Sequence, residues 1–246
     1  MNMSVRATPA TASIESRVAL LEWPRTLVTL EKQGWAVIRG LVSPAECRAL
    51  VSVYDDDKFF RSRIVMARHG LGRGECKYFS YPLPDIVARL RAELYPALVP
   101  LADRWSAALK CDVRYPARHD EFIRRCHQAG QLRLTSALLR YGPDDYSCPV
   151  QDDCGEHWFP LQVKILLSEP LGDFTGGEFV LSEQRSRMPP RIDVVPLRRG
   201  DAVVFAAQYR PERDATRIHR VIMRHGVSAV RSGRRHTLSI TFHDSV

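Results

Sequence analysis

From Ser13 the apolar positions recur at helical spacing through Val18, Leu21, Leu27 and Leu30, with a break at Pro24 and a stop at Gly34. Trp35-Ala36-Val37-Ile38 follows as a short apolar run that predicts a buried strand. Ser43-Pro44-Ala45-Glu46 has the form of a capping box with proline at the first helical position, so a helix is expected from there to about Tyr54. Residues 60–84 lose this periodicity. Gly70, Gly72 and Gly74 punctuate the stretch, which predicts a loop. Helical spacing returns from Asp85 to about Lys110, with breaks expected at Pro96 and Pro100, and again from His119 to Gln128.

After residue 133 the texture changes. Short apolar runs stand at 137–141, 161–167, 178–181, 192–197, 202–206, 218–223 and 237–242. They are separated by turn formers such as Gly142-Pro143-Asp144, Thr175-Gly176-Gly177 and Arg199-Gly200-Asp201. Runs of this length between turn signals predict an all-β sandwich or jelly roll. The expected fold is therefore α+β. A flexible tail over 1–12 leads into a helical region over 13–132, which packs on a jelly-roll core over 133–246.

Composition narrows the class. In 246 residues, 45% are hydrophobic and 26% charged, values of a globular chain with a sizeable core. No apolar stretch is long enough for a membrane span, and the first residues lack the apolar core of an export signal. A cytoplasmic protein with no membrane partner is expected. The net charge is +8, and of the 36 basic residues only five are lysines. Arginine's planar fork suits carboxylates and phosphates, so the charge admits an anionic partner, nucleic acid included. The six cysteines form no CxxC pair and are expected to be reduced thiols; Cys148, Cys154 and His157 match no common zinc module. Nothing in the sequence sets the oligomeric state.

The polar residues of the β half suggest chemistry. Gln151-Asp152-Asp153 is followed by His157 and, much later, by Arg224-His225-Gly226. A carboxylate after one strand and a histidine on a later one can converge inside a jelly roll. Two histidines and one carboxylate on one face form the ligand set of non-haem iron oxygenases. A basic residue beyond the second histidine, at Arg234-Arg235, would hold the far carboxylate of a chelating co-substrate. His69, His119, His127 and His219 have no such support and are expected to be structural or surface residues.

Long segments carry a resemblance. They include FRSRIVMARHGLGRGE (60–75), YFSYPLPD (78–85), CHQAGQ (126–131), LLRYGPDDY (138–146), GEHWFPLQVKILLSEP (155–170), DFTGGEFVLSEQRSRM (173–188), PLRRGDAVVF (196–205) and RHGVSAVRSGRRHTL (224–238). Across nearly its whole length the chain resembles the Oxygenase-NA family of the Fe(II)/2-oxoglutarate-dependent dioxygenases, whose core is a double-stranded β-helix. The resemblance implies Fe(II) and 2-oxoglutarate as cofactors, O2 as co-substrate, ascorbate as a reductant in vitro, and oxidative modification or dealkylation of nucleic acid. It places Asp152 and His225 among the metal ligands, and Tyr141 and Arg235 against 2-oxoglutarate, with Arg234 as the fallback if the loop shifts by one.

The family pattern H-Q-D-x-Y-G-E is Val150-Gln151-Asp152-Asp153-Cys154-Gly155-Glu156 in this chain. Valine thus occupies the position of the proximal histidine and offers no lone pair. Two further readings follow: a pseudo-oxygenase that binds or senses, and a hydroxylase of a protein or small molecule. Arg73, Lys77 and Tyr78 are the candidate groove for substrate bases.

Overall fold

The structure, a computed structural model, describes residues 12–151, 155–186, 188–213 and 217–246. The tail before residue 12 and the Asp152 position lie outside the described residues. Helices α1 (Ile14–Ala19) and α2 (Trp23–Gln33) precede strand β1 (Trp35–Ile38), and α3 (Pro44–Val53) follows it. The capping box at α3 is formed: the Ser43 side chain accepts from the Glu46 N–H, and the Glu46 carboxylate accepts from the Ser43 N–H. Next come β2 (Phe60–Val65), β3 (Gly72–Arg73) and β4 (Glu75–Phe79), then α4 (Asp85–Ala108) and α5 (His119–Gln128).

The β half holds β5 (Arg133–Leu134), β6 (Ala137–Tyr141), β7 (Tyr146–Val150), β8 (Leu161–Leu166), β9 (Phe174–Gly176) and β10 (Phe179–Gln184). It continues with β11 (Arg191–Val195), β12 (Ala202–Ala206), β13 (Tyr209–Arg213), β14 (Ile218–Val227), β15 (Val230–Gly233), β16 (Arg235–Ile240) and β17 (Asp244–Ser245).

Two antiparallel sheets make the jelly roll. The larger runs β1-β12-β8-β16-β6-β4-β2; the smaller runs β11-β10-β14-β7-β3, with β13 also on β14. The strand expected at 35–38 is β1, and β2 and β4, within the region expected to be helical, extend the same larger sheet. Residues 60–79, read as a loop, are largely an antiparallel pair, with Arg63 opposite Lys77 and Ile64 opposite Cys76. The glycines belong to the connection between the strands. Gly74, at φ +119°, lies so close to the Tyr141 ring that a side chain would collide with it. Nor do Pro96 and Pro100 break α4, which is a continuous helix. Its fully buried Leu90, Leu94, Leu98 and Trp105 tie it to the core, and that packing outweighs the lost backbone bonds.

Alternation along each strand divides the interior in two. On β16 and the residues after it, Leu238, Ile240 and Phe242 pack under the helices. The intervening Arg235, Thr237, Ser239, Thr241 and His243 line a cavity between the sheets. The helices hold that wall in place. Arg91 of α4 donates to the Thr241 and His243 carbonyl oxygens at 2.8 and 3.0 Å and pairs with the Asp244 carboxylate at 2.6 Å. Tyr81 and His127 also contact this carboxylate, both at 2.8 Å.

Burial raises the Asp244 carboxyl, but Arg91 and the hydrogen bonds outweigh it, leaving the group below the ordinary carboxylate range. A depressed folded value stabilises above the unfolded value, about 3.9, and that contribution is lost as pH falls through the folded one. Arg91→Met leaves a buried carboxylate unpaired. Urea unfolding at pH 7 is expected to show a loss of about 3–5 kcal/mol, narrowing at acid pH as the carboxylate protonates.

Candidate anion pocket

The cavity between the two sheets has a volume of about 400 Å³. The larger sheet contributes Tyr141, Leu139 and Ala137 from β6, Cys76 and Tyr78 from β4, and Lys164 from β8, besides the β16 residues. The smaller sheet contributes Val150 of β7, Phe179 of β10, and His225, Gly226 and Val227 of β14. Three cations line it, Arg61, Lys164 and Arg235, and no carboxylate does so among the described residues.

Arg235 is 1% exposed. It opens β16 directly opposite Tyr141, and its guanidinium lies 5.7 Å from the centre of the Tyr141 ring and 5.9 Å from that of Phe174. One nitrogen donates to the Thr237 hydroxyl, and Nε has no hydrogen-bond partner. Among the described residues it has no ion-pair partner. Burial pushes it down to about 10, against a partial pull upward from Tyr141 and Glu178. The tight turn before it depends on Gly233 at φ +76°, where a side chain would run into the Asp173 carbonyl. Arg234 is exposed at a separate depression with Arg73 and Arg140, so the arginine facing the cavity is Arg235.

His225 is buried on β14, and its direct cross-strand partner is Val150. The imidazole packs edge-on to Phe205 at 5.0 Å and beside Phe179 at 6.2 Å. Both His225 and Val150 face the cavity. Asp152 lies outside the described residues, and among those described no three His, Cys, Asp or Glu side chains cluster to hold a metal ion. Iron with two histidines and a carboxylate needs three donors on one face. The described part of this wall supplies one imidazole and, across from it, an isopropyl group.

The expected groove of Arg73, Lys77 and Tyr78 is not brought together. Tyr78 lines the cavity under the Arg61 guanidinium, 4.9 Å from its ring centre. Lys77, one residue away, points to the opposite face of β4. There it is buried against the rings of Tyr54 and Phe60 and paired with Asp57 at 2.6 Å. Arg73 is exposed at the Arg234 depression. A one-residue step reverses the face of a strand, and the loop reading of 60–84 supplied no such alternation.

Sequence reasoning missed Lys164, Thr237, Ser239 and His243. The signal was present: Arg235, Thr237, Ser239, Thr241 and His243 are spaced by two, as one face of a strand. His243 Nδ1 accepts from the Phe159 N–H at 3.3 Å, so its ring proton is on Nε2. His119 was expected to be structural, and its Nε2–H donates to the Phe242 carbonyl oxygen at 2.9 Å.

A family model, Oxygenase-NA, described as an oxygenase catalysing oxidative methylation of damaged DNA, matches residues 74–245. The uncharacterized protein Rv2227 of Mycobacterium tuberculosis is 42% identical over 167 residues, covering 68% of this chain and 72% of that protein. Among solved structures, a prolyl hydroxylase of Trichoplax adhaerens in complex with a hypoxia inducible factor peptide aligns at TM-score 0.53 and 13% identity. It covers 95% of this chain and 94% of that one. An oxidoreductase of the 2OG-Fe(II) oxygenase family from Burkholderia pseudomallei aligns at TM-score 0.50 and 14% identity, over 92% and 94%. These likenesses are of fold. No helix among the described residues is long and apolar enough to cross a membrane.

Proposed function

We propose, for a chain that belongs to the Oxygenase-NA family, that it binds 2-oxoglutarate in the cavity between its sheets and leaves iron chemistry unsupported. The observation that carries this reading is Arg235, a buried guanidinium with no carboxylate partner among the described residues, in the same cavity as a valine that stands opposite His225. Its fork accepts a carboxylate in two parallel hydrogen bonds. The Thr237 hydroxyl holds one guanidinium nitrogen, and the Tyr141 ring closes one side. Leu139, Val227 and Phe179 exclude water from the same space, which strengthens the charge pairing.

On this reading Val150 occupies the place of the proximal iron ligand. By the resemblance Asp152 would be a second donor, and among the described residues no third donor joins His225. In family members with all three ligands, bound 2-oxoglutarate supplies electrons for O2 activation through its own decarboxylation. Here the residues bind and enclose the dicarboxylate, the role of a binding or sensing module.

A second reading keeps nucleic acid as the partner. The description of the family model names damaged DNA, and the Arg61–Tyr78 stack offers a flat cationic platform at the cavity. Arginine on an aromatic ring is suited to receive an unstacked base. Single-stranded oligonucleotide titrations would then show affinity falling with salt and dropping several-fold in Arg61→Ala. Equal affinity in that variant removes the platform from the reading.

Calorimetry with 2-oxoglutarate in the presence of a chelator tests the leading reading. The native chain is expected to bind, and Arg235→Met to lose at least about tenfold in affinity. Binding needs the charged guanidinium, so affinity is expected to be level around neutrality and to fall as pH rises through about 10. No binding by the native chain, or undiminished binding by Arg235→Met, contradicts the reading.

A further inference from the structure

The cavity holds a second buried cation that the oxygenase reading does not use. Lys164 is central in β8, 8% exposed, with its ammonium 3.4 Å from the Ser239 hydroxyl. Residues on either side of it, Val163 and Ile165, point the other way into the core beneath the helices, so alternation turns Lys164 inward. A lysine in the middle of a buried strand costs desolvation that neither alanine nor leucine would incur.

Register fixes where it stands. Ser239 is cross-strand from Lys164, and Thr237, two residues earlier on the same face of β16, holds the Arg235 head. Two residues of strand span about 7 Å, so the two cationic heads are anchored roughly that far apart along one wall. The other end of the wall locates Lys164 against the smaller sheet. Phe205, which packs on His225, pairs with Gln162, and Lys164 is the next residue on that face of β8. The ammonium thus lies at the His225 end of the cavity, with Arg235 at the other.

We propose that Lys164, with Ser239, is a second carboxylate anchor, so that a four- or five-carbon dicarboxylate is held at both ends by protein cations and needs no metal. The proposal deepens the 2-oxoglutarate reading and rests on it. In a chelated complex the metal would hold the keto-acid end of the ligand. Here the ammonium takes that carboxylate directly, which makes the keto group dispensable and admits saturated diacids.

The test is calorimetry of the native chain in a chelator with glutarate, which has two carboxylates and no keto group, and with pentanoate, which has one. Glutarate is expected to bind at least about tenfold more tightly than pentanoate. Lys164→Met is expected to erase that preference by weakening glutarate alone, and Lys164→Arg to keep it. Should Lys164→Met fail to fold in a thermal melt, the native preference decides, and a preference well under tenfold overturns the proposal. Folded Lys164→Met that binds glutarate as the native chain does also overturns it. If Arg235→Met loses glutarate while Lys164→Met keeps it, the 2-oxoglutarate reading stands and this one falls. If the native chain binds neither 2-oxoglutarate nor glutarate, both fall.

Discussion

A guanidinium buried with no carboxylate partner among the described residues is the constraint around which the site is arranged. Arg235 is enclosed by Tyr141, Phe174 and Thr237, and burial lowers its proton affinity to about 10 without removing its charge at neutral pH. Such a charge is costly unless something anionic meets it. Other buried cations of this fold are matched from within: Arg91 by Asp244, Arg210 by Glu183, Arg17 by Glu46. The contrast between those pairs and Arg235 points outward, to a ligand.

The position of that charge follows from one strand with two different faces. The Leu238–Ile240–Phe242 face of β16 and its extension belongs to the core under the helices, and the Arg235–Thr237–Ser239 face belongs to the cavity. Arg91 of α4 reaches through from the helical side to fix the end of this wall by its backbone carbonyls and Asp244. The helical layer therefore acts on the site without lining it. On the smaller sheet, Val150 and His225 are cross-strand partners facing the same cavity. The ladder aligns the two residues, and one side chain decides whether the pair offers two metal donors or one.

Much of this was legible in the sequence. The capping box at Ser43 predicted α3, the short apolar runs of the β half predicted the jelly roll, and the resemblance placed Arg235 against the co-substrate. Strand β7 was not legible, because Tyr146-Ser-Cys-Pro-Val carries almost no apolar alternation; its pairing with β14 holds it. Strands β2 and β4 were hidden by the glycines between them. Lys164 was hidden for a different reason: in Leu161–Leu166 it and Gln162 read as polar interruptions of an apolar run. Only the register with Ser239 and Val203 shows that it faces a cavity rather than solvent. Lys77, which looked equally available, falls on the other face of its strand and is spent on Asp57.

The account stands or falls on whether Val150 disarms an otherwise assembled oxygenase site. The decisive measurement is turnover of 2-oxoglutarate to succinate with Fe(II), ascorbate and O2, comparing the native chain with Val150→His. The account predicts no iron-dependent succinate from the native chain and clear turnover from the variant. Comparable turnover by the native chain would contradict it, since a third iron ligand would then come from elsewhere in the molecule.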